Sequence, residues 1–177
     1  IFNITRGPET VAKEVGMQEA DFKAELKIAR DKLLTVRSQR IRPLLDDKIL
    51  TSWNALMISA MAKTGRVLDD ADRIQKSARA MEFLLSQLRT PEGKILRRYR
   101  DGEARYDGYL YDYTATATAC LDLYEATYEP HYIQTAHELM QRVEEKFHGE
   151  TGTFHETASD GEELLVRQIS GYDGVEP

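Results

Sequence analysis

Leu50-Thr51-Ser52-Trp53-Asn54-Ala55-Leu56-Met57-Ile58-Ser59-Ala60-Met61-Ala62 carries no charge and is small or apolar on nearly every side. A helix of that composition offers no face to water, so the run predicts an inner helix buried all round. On its N-terminal side, Met17 to about Arg40 sets Phe22, Leu26, Ala29, Leu33 and Val36 at steps of three or four, with Lys23, Glu25, Lys27, Arg30 and Lys32 on other faces. That is the spacing of an amphipathic surface helix. Pro43 ends it, because proline removes a backbone donor and turns the residue before it away from helix.

On the C-terminal side a further amphipathic helix covers about Ala71 to Leu88, with Ile74, Ala78, Met81, Leu85 and Leu88 on one stripe and Asp70 as its cap. Pro91-Glu92-Gly93 stops it. Lys94 to Arg100 then meets Asp101-Gly102, a strong turn pair, before Glu103 to Tyr106, which predicts a short β-hairpin. A second nearly uncharged helix follows from Tyr109 to about Tyr128, and its threonines lower helix propensity, so burial must stabilise it. Pro130 opens another amphipathic helix with Ile133, Ala136, Met140, Val143 and Phe147 as its stripe. Phe154 to Thr157 and Leu164 to Arg167 flank Asp160-Gly161 as a second hairpin.

These units repeat. A shift of about 59 residues lays Ile74-Gln75 on Ile133-Gln134, Gly93 on Gly152, and Asp101-Gly102-Glu103 on Asp160-Gly161-Glu162. An acidic lead-in recurs as Asp46-Asp47, Asp107 to Asp112 and Asp173-Gly174. Alternating inner and outer helices with so long a period predict an all-α fold, helical hairpins of an incomplete (α/α)6 toroid with short β-hairpins between units. Tetratricopeptide and ankyrin arrays have periods of about 33 to 34 residues and do not fit. Six such hairpins need roughly 350 residues, so residues 1–177 read as a single partial domain of about two and a half hairpins. The missing initial Met carries the same expectation of a longer chain.

With Lys+Arg 24 against Asp+Glu 30 and a net charge of -6, the chain as a whole repels nucleic acid and anionic lipid. No stretch approaches the roughly 20 apolar residues of a membrane span, and Ile1-Phe2-Asn3-Ile4 does not open a signal peptide. One cysteine, Cys120, excludes an internal disulfide or thiolate metal cluster; it sits in an apolar run as a buried neutral thiol, and its isolation favours a reducing cytoplasm.

Arg37-x-x-Arg40-x-x-Pro43-x-x-Asp46-Asp47-Lys48-x-Leu50-Thr51-Ser52-Trp53-Asn54, then Gly108-Tyr109-Leu110-x-Asp112-Tyr113, Leu123-Tyr124-Glu125-Ala126-Thr127, Leu164-Leu165-x-Arg167 and Tyr172-Asp173-Gly174-x-Glu176-Pro177, resembles the YyaL-like, spermatogenesis-associated thioredoxin-domain family. The resemblance implies an N-terminal thioredoxin-like domain, absent from this chain, joined to a toroid similar to N-acylglucosamine 2-epimerases and six-hairpin glycosidases. The remainder of that polypeptide, thioredoxin-like domain included, is then an expected partner.

Asp46, Asp47, Asp112, Asp173 and Glu176 all fall at or just before the starts of inner helices. In a toroid they ring one mouth of the cavity, where Asp112 and Asp173 are the expected catalytic carboxylates and the others bind substrate. Helix capping predicts the same positions, since Asp accepts hydrogen bonds from unpaired N–H groups there. Lys48, Trp53 and Asn54 suit a sugar pocket, an indole face for the ring and an amide and ammonium for hydroxyls; core packing of Trp53 and pairing of Lys48 with Asp46 or Asp112 is the alternative. Tyr113, with Tyr109 and Tyr111, is expected at an aromatic cavity wall or at a half-wet helix end. Arg37, Arg40 and Arg42 suit an anionic group or a helix C-terminal dipole.

His131, His137, His148 and His155 form no ligand spacing, so no metal and no cofactor is expected. The leading expectation is a carbohydrate-active or carbohydrate-binding domain with a sugar ligand, isomerase- or epimerase-like in the intact protein and inactive as this chain alone. The alternatives are a helical scaffold for the thioredoxin-like domain and an inverting glycosidase, which needs carboxylates about 6.5 to 9.5 Å apart. Inner-helix faces without neighbours predict self-association.

Overall fold

The computed structural model describes residues 4–149 and 152–169, so Asp173 and Glu176 lie outside the described residues. The chain divides into two compact units, Ile1–Asp46 and Asp47–Pro177. In the first, α1 (Pro8–Glu14) starts on Pro8, whose fixed φ suits a first turn, and the Lys13–Glu9 pair braces it at 2.9 Å. α2 (Glu19–Ser38) has the predicted helix span, but none of its residues is buried and Leu33 is 71% exposed.

The second unit contains β1 (Ile49–Leu50), α3 (Thr51–Val67), α4 (Ala71–Gln87), β2 (Leu96–Arg100), β3 (Glu103–Asp107), α5 (Leu110–Thr127) and α6 (Pro130–Phe147). α3 with α4 and α5 with α6 form two helical hairpins, and α3 and α5 lie side by side. The α3–α4 contact depends on Gly65, where a Cβ would sit 2.7 Å from the Ile74 side chain. Asp70 caps α4 as predicted, accepting from the Arg73 N–H at 3.0 Å. The three strands are antiparallel in the order β1-β2-β3, with Ile49 opposite Tyr99 and Arg98 opposite Arg105. Asp101 and Gly102, both at positive φ (54° and 80°), make the tight turn that their sequence announced.

The core gathers Ala55, Ile58 and Ala62 from α3, Met81 and Leu84 from α4, Ala119, Cys120 and Leu123 from α5, and Leu139, Val143 and Phe147 from α6. α5 holds nine buried residues, as its uncharged middle required. α3 is not buried all round. Thr51, Ala55, Ile58, Ala62 and Gly65 are buried against α4, α5 and the small sheet, but Trp53 and Met57, on the side of α3 turned away from these elements, are 70% and 60% exposed.

Two further expectations are corrected. On α6 the buried face is Tyr132, Thr135, Ala136, Leu139, Val143 and Phe147, leaving Ile133 and Met140 largely outside it. Apolar residues stand on both sides of Ala136, and α5 selects the set that includes Tyr132 and Leu139. The second hairpin does not form a ladder among the described residues. A His148–Phe154 bridge and one bond from the Glu156 N–H to the Gln168 carbonyl at 2.8 Å stand in its place. The Arg167 guanidinium holds the segment instead, donating to the carbonyls of Thr157 and Lys146, while Leu165 and Val166 have no sheet to face and stay exposed. No helix among the described residues is long and apolar enough to cross a membrane.

Candidate functional site

The starts of α3 and α5 are joined by one carboxylate. Asp112 is 3% exposed; its Oδ1 accepts from the Ser52 N–H at 3.1 Å and its Oδ2 from the Tyr109 N–H at 3.0 Å. A charged acceptor between two helix N-termini satisfies backbone donors that no intrahelical carbonyl reaches. Both oxygens are thereby engaged with main chain, which makes Asp112 a residue that positions the helix starts. Its neighbour Tyr113 is 2% exposed, and its hydroxyl oxygen accepts from the Ile95 N–H at 2.9 Å and from Arg142 Nε at 3.3 Å. Its ring meets Phe147 edge-on, so it lies in the core.

The other expected site residues of the second unit, among the described residues, do not line one cavity. The Asn54 amide donates to the Leu50 carbonyl at 2.8 Å, which supplies the partner that a polar residue in an apolar run requires. Trp53 stands out from the open face of α3. Asp47 Oδ1 lies 2.7 Å from Arg100 Nε and ties the lead-in to β2. Lys48 is exposed, and Asp46, also exposed, closes the first unit.

A cleft of about 550 Å³ opens between the β2–β3 hairpin, the start of α5 and residues 157–164. Tyr106, Asp107 and Tyr109 form one side, Arg97 projects from β2, and Gly161 and Glu162 close the other. The Arg97 guanidinium covers the Tyr109 ring at 4.2 Å and that of Arg98 covers Tyr106 at 5.0 Å. Hydrogen bonding and charge from Arg98 hold the Tyr106 phenol below its ordinary pKa. Gly108 is required where the hairpin turns into α5, since a Cβ there would lie 2.8 Å from the Ile95 carbonyl oxygen. Asp160 frames the far side through two bonds to Arg142 Nη2 at 3.1 and 2.8 Å, and its carbonyl accepts from Lys94 at 3.0 Å. Burial pushes the Asp160 carboxyl up, but the hydrogen bonds and charge of Arg142, with Lys94 and Lys146, outweigh it and hold the group below the usual range.

A second groove, about 390 Å³, runs between α3 and α4 over Met57, Ala60 and Met61. Its polar rim is engaged within α4, Asp72 with Lys76 at 2.6 Å and Asp70 with Arg73 at 3.3 Å, so it has the character of a packing surface. Among the described residues no group of three His, Cys, Asp or Glu side chains could hold a metal ion.

Sequence reasoning passed over Arg97, Tyr106 and Glu162. The one signal for Glu162 was the repeat, which lays it on Glu103 in the first hairpin. It also passed over Asp122, 8% exposed on α5, which accepts from the Ser59 hydroxyl and pairs with Lys63 at 3.1 Å across to α3. A carboxylate directly after the uncharged middle of a buried helix was its signal.

No model of a protein family matches the chain. Human spermatogenesis-associated protein 20 is 29% identical over 96% of the chain. The chain resembles spermatogenesis-associated protein 20 over nearly its whole length. The rat protein of the same name is 28% identical over 96% of the chain, and an uncharacterised Caenorhabditis elegans protein is 28% identical over 89%. These relatives agree with the resemblance carried by the motifs. The chain spans 22% to 23% of their length.

Among solved structures, a cellobiose 2-epimerase from Bacillus thermoamylovorans aligns with a TM-score of 0.55 at 13% identity, over 60% of this chain and 31% of that one. A GH76 α-mannanase from Bacteroides thetaiotaomicron aligns with a TM-score of 0.59 at 16% identity, over 66% and 34%. Both are (α/α)6 toroids, and the fold of this chain is accordingly helical hairpins of that type, with short β-hairpin structure between units.

Proposed function

We propose that the chain is part of a carbohydrate-binding (α/α)6 domain and that the cleft at the start of α5 takes the sugar. The observation that carries this reading is the lining itself. Two exposed tyrosine rings, two carboxylates and a guanidinium meet at one cleft, the mixture of flat apolar surface and convergent polar groups that a polyhydroxyl ring requires. The fold is shared with a cellobiose 2-epimerase and an α-mannanase, which supports a sugar over other small ligands. A cytoplasmic setting fits a chain whose single thiol is buried and neutral.

Within this reading the intact protein isomerises or epimerises a sugar. Among the described residues no histidine lines the cleft, and Asp107 and Glu162 are carboxylates there able to accept a proton, with Asp112 positioning them through the start of α5. Calorimetric titration of the intact protein with cellobiose, mannose, glucose and N-acetylglucosamine tests the reading. Saturable heat with at least one sugar is expected, and no heat with any of them, from protein shown to be folded, overturns it.

A helical scaffold for a thioredoxin-like domain is the second reading, favoured by the open apolar face of Trp53, Leu56 and Met57. It expects Trp53→Ala to weaken association with that domain while sugar heats stay unchanged.

A further inference from the structure

Tyr106 has φ 66°, in the left-handed region. Glycine, asparagine and aspartate occupy that region at low cost, whereas a bulky side chain there is strained. Among the described residues three other non-glycine positions share it, and each has a local reason. Asp101 lies in the two-residue hairpin turn and Tyr128 is the C-cap of α5; Asp69 stands in the turn between α3 and α4 and is an aspartate. Tyr106 alone sits inside a strand, β3. The core gains nothing from it, since the residue is 61% exposed. What the conformation accompanies is a ring at the edge of the cleft, with Arg98 against it and Tyr109 and Asp107 beside it on the same lining.

Resting on the sugar-binding reading, we infer that Tyr106 is the stacking residue of the cleft and that the ligand is an uncharged pyranose. A tyrosine ring offers a flat apolar face to the C–H face of a sugar, while Asp107 and Glu162 accept from hydroxyls and Arg97 donates to ring or hydroxyl oxygens. The cations around the cleft are already engaged, Arg97 over Tyr109, Arg98 over Tyr106 and Lys94 with Asp107 and Asp160, which disfavours a sugar that itself carries a carboxylate. The strained backbone is the counterpart of this role. A residue better suited to φ 66° relieves strain and removes the platform.

The test compares the intact wild-type protein with Tyr106→Asn, which suits the left-handed backbone but lacks a ring, and with Tyr106→Phe, which keeps the ring. Cellobiose is the neutral probe and glucuronate the charged one, each titrated calorimetrically beside thermal unfolding. The wild type is expected to bind cellobiose and to bind glucuronate at least tenfold more weakly. Tyr106→Asn should unfold at or above the wild-type temperature yet lose at least tenfold in cellobiose affinity, and Tyr106→Phe should stay within about threefold. Binding by the wild type that Tyr106→Asn leaves intact overturns the assignment of Tyr106 while the sugar-binding reading stands. Preference for glucuronate overturns the ligand class, and absence of binding by the wild type to cellobiose and to the wider sugar panel overturns both.

Discussion

Asp112 shows how one carboxylate organises a helical repeat. It bridges the first turn of α3 and the turn before α5, so its loss strands two backbone donors at once. Asp112→Ala is expected to destabilise the fold by about 2 to 4 kcal/mol, and Asp112→Asn, which keeps one acceptor oxygen, by about half as much; urea denaturation measures both. Cys120 gives a pH signature of its own. Burial raises its thiol from 9.0 to about 12. Above pH 9 the unfolded chain releases this proton while the folded chain retains it, so stability falls as pH rises from about 9 to about 12, and Cys120→Ala should flatten that part of the profile. The Cys120 environment was readable because its neighbours in sequence are apolar. Capping by Asp112 was one of two readings its position allowed, beside a catalytic one, but its second partner, Ser52, comes from another helix, and no local pattern reports a contact so distant along the chain. Tyr106 escaped notice for a similar reason, since a backbone angle leaves no trace in residue type when the residue is one that normally avoids it.

Helix α6, the end of the β2–β3 hairpin and residues 154–168 are joined by polar links more than by strand pairing. Tyr113 and Arg142 form the centre of this arrangement, the phenol accepting from the Ile95 N–H and from Arg142, and Arg142 gripping Asp160. Tyr113→Phe leaves the Ile95 N–H without its acceptor and should cost about 1 to 3 kcal/mol, read by chemical denaturation. Because the Asp160 carboxyl is held below its ordinary value of 3.8, its contribution is present above that pH and lost as the pH falls through the depressed folded value. Arg142→Gln should therefore reduce the acid-induced loss of stability, as followed by circular dichroism between pH 5 and about 2. The helices from α2 onward and the first hairpin followed from periodicity, caps and the Asp101-Gly102 turn, all local effects, whereas the short α1 gave no such signal. The second hairpin was misread because Leu164 to Arg167 has strand-like composition, whereas Arg167 reaches carbonyls of Thr157 and Lys146 and holds the segment without a ladder.

At the scale of the molecule, the repeat of about 59 residues was the most informative feature of the sequence, and it led to hairpins of the toroid type that the solved neighbours share. The composition of α3 misled in one respect: an uncharged helix is buried only where neighbours exist, and α3 keeps Trp53, Leu56 and Met57 on an open face. Such a face drives association, so the 177-residue chain is expected to self-associate, and Trp53→Lys with Met57→Lys to shift it toward monomer in light scattering at equal concentration. The central claim, a sugar cleft where the β2–β3 hairpin meets α5, is tested most directly by hydrogen–deuterium exchange of the intact protein with and without saturating cellobiose. Slower exchange confined to residues 104–110 and 157–164 is the predicted result. Protection along the α3–α4 groove instead, or no change anywhere in the chain, would contradict it.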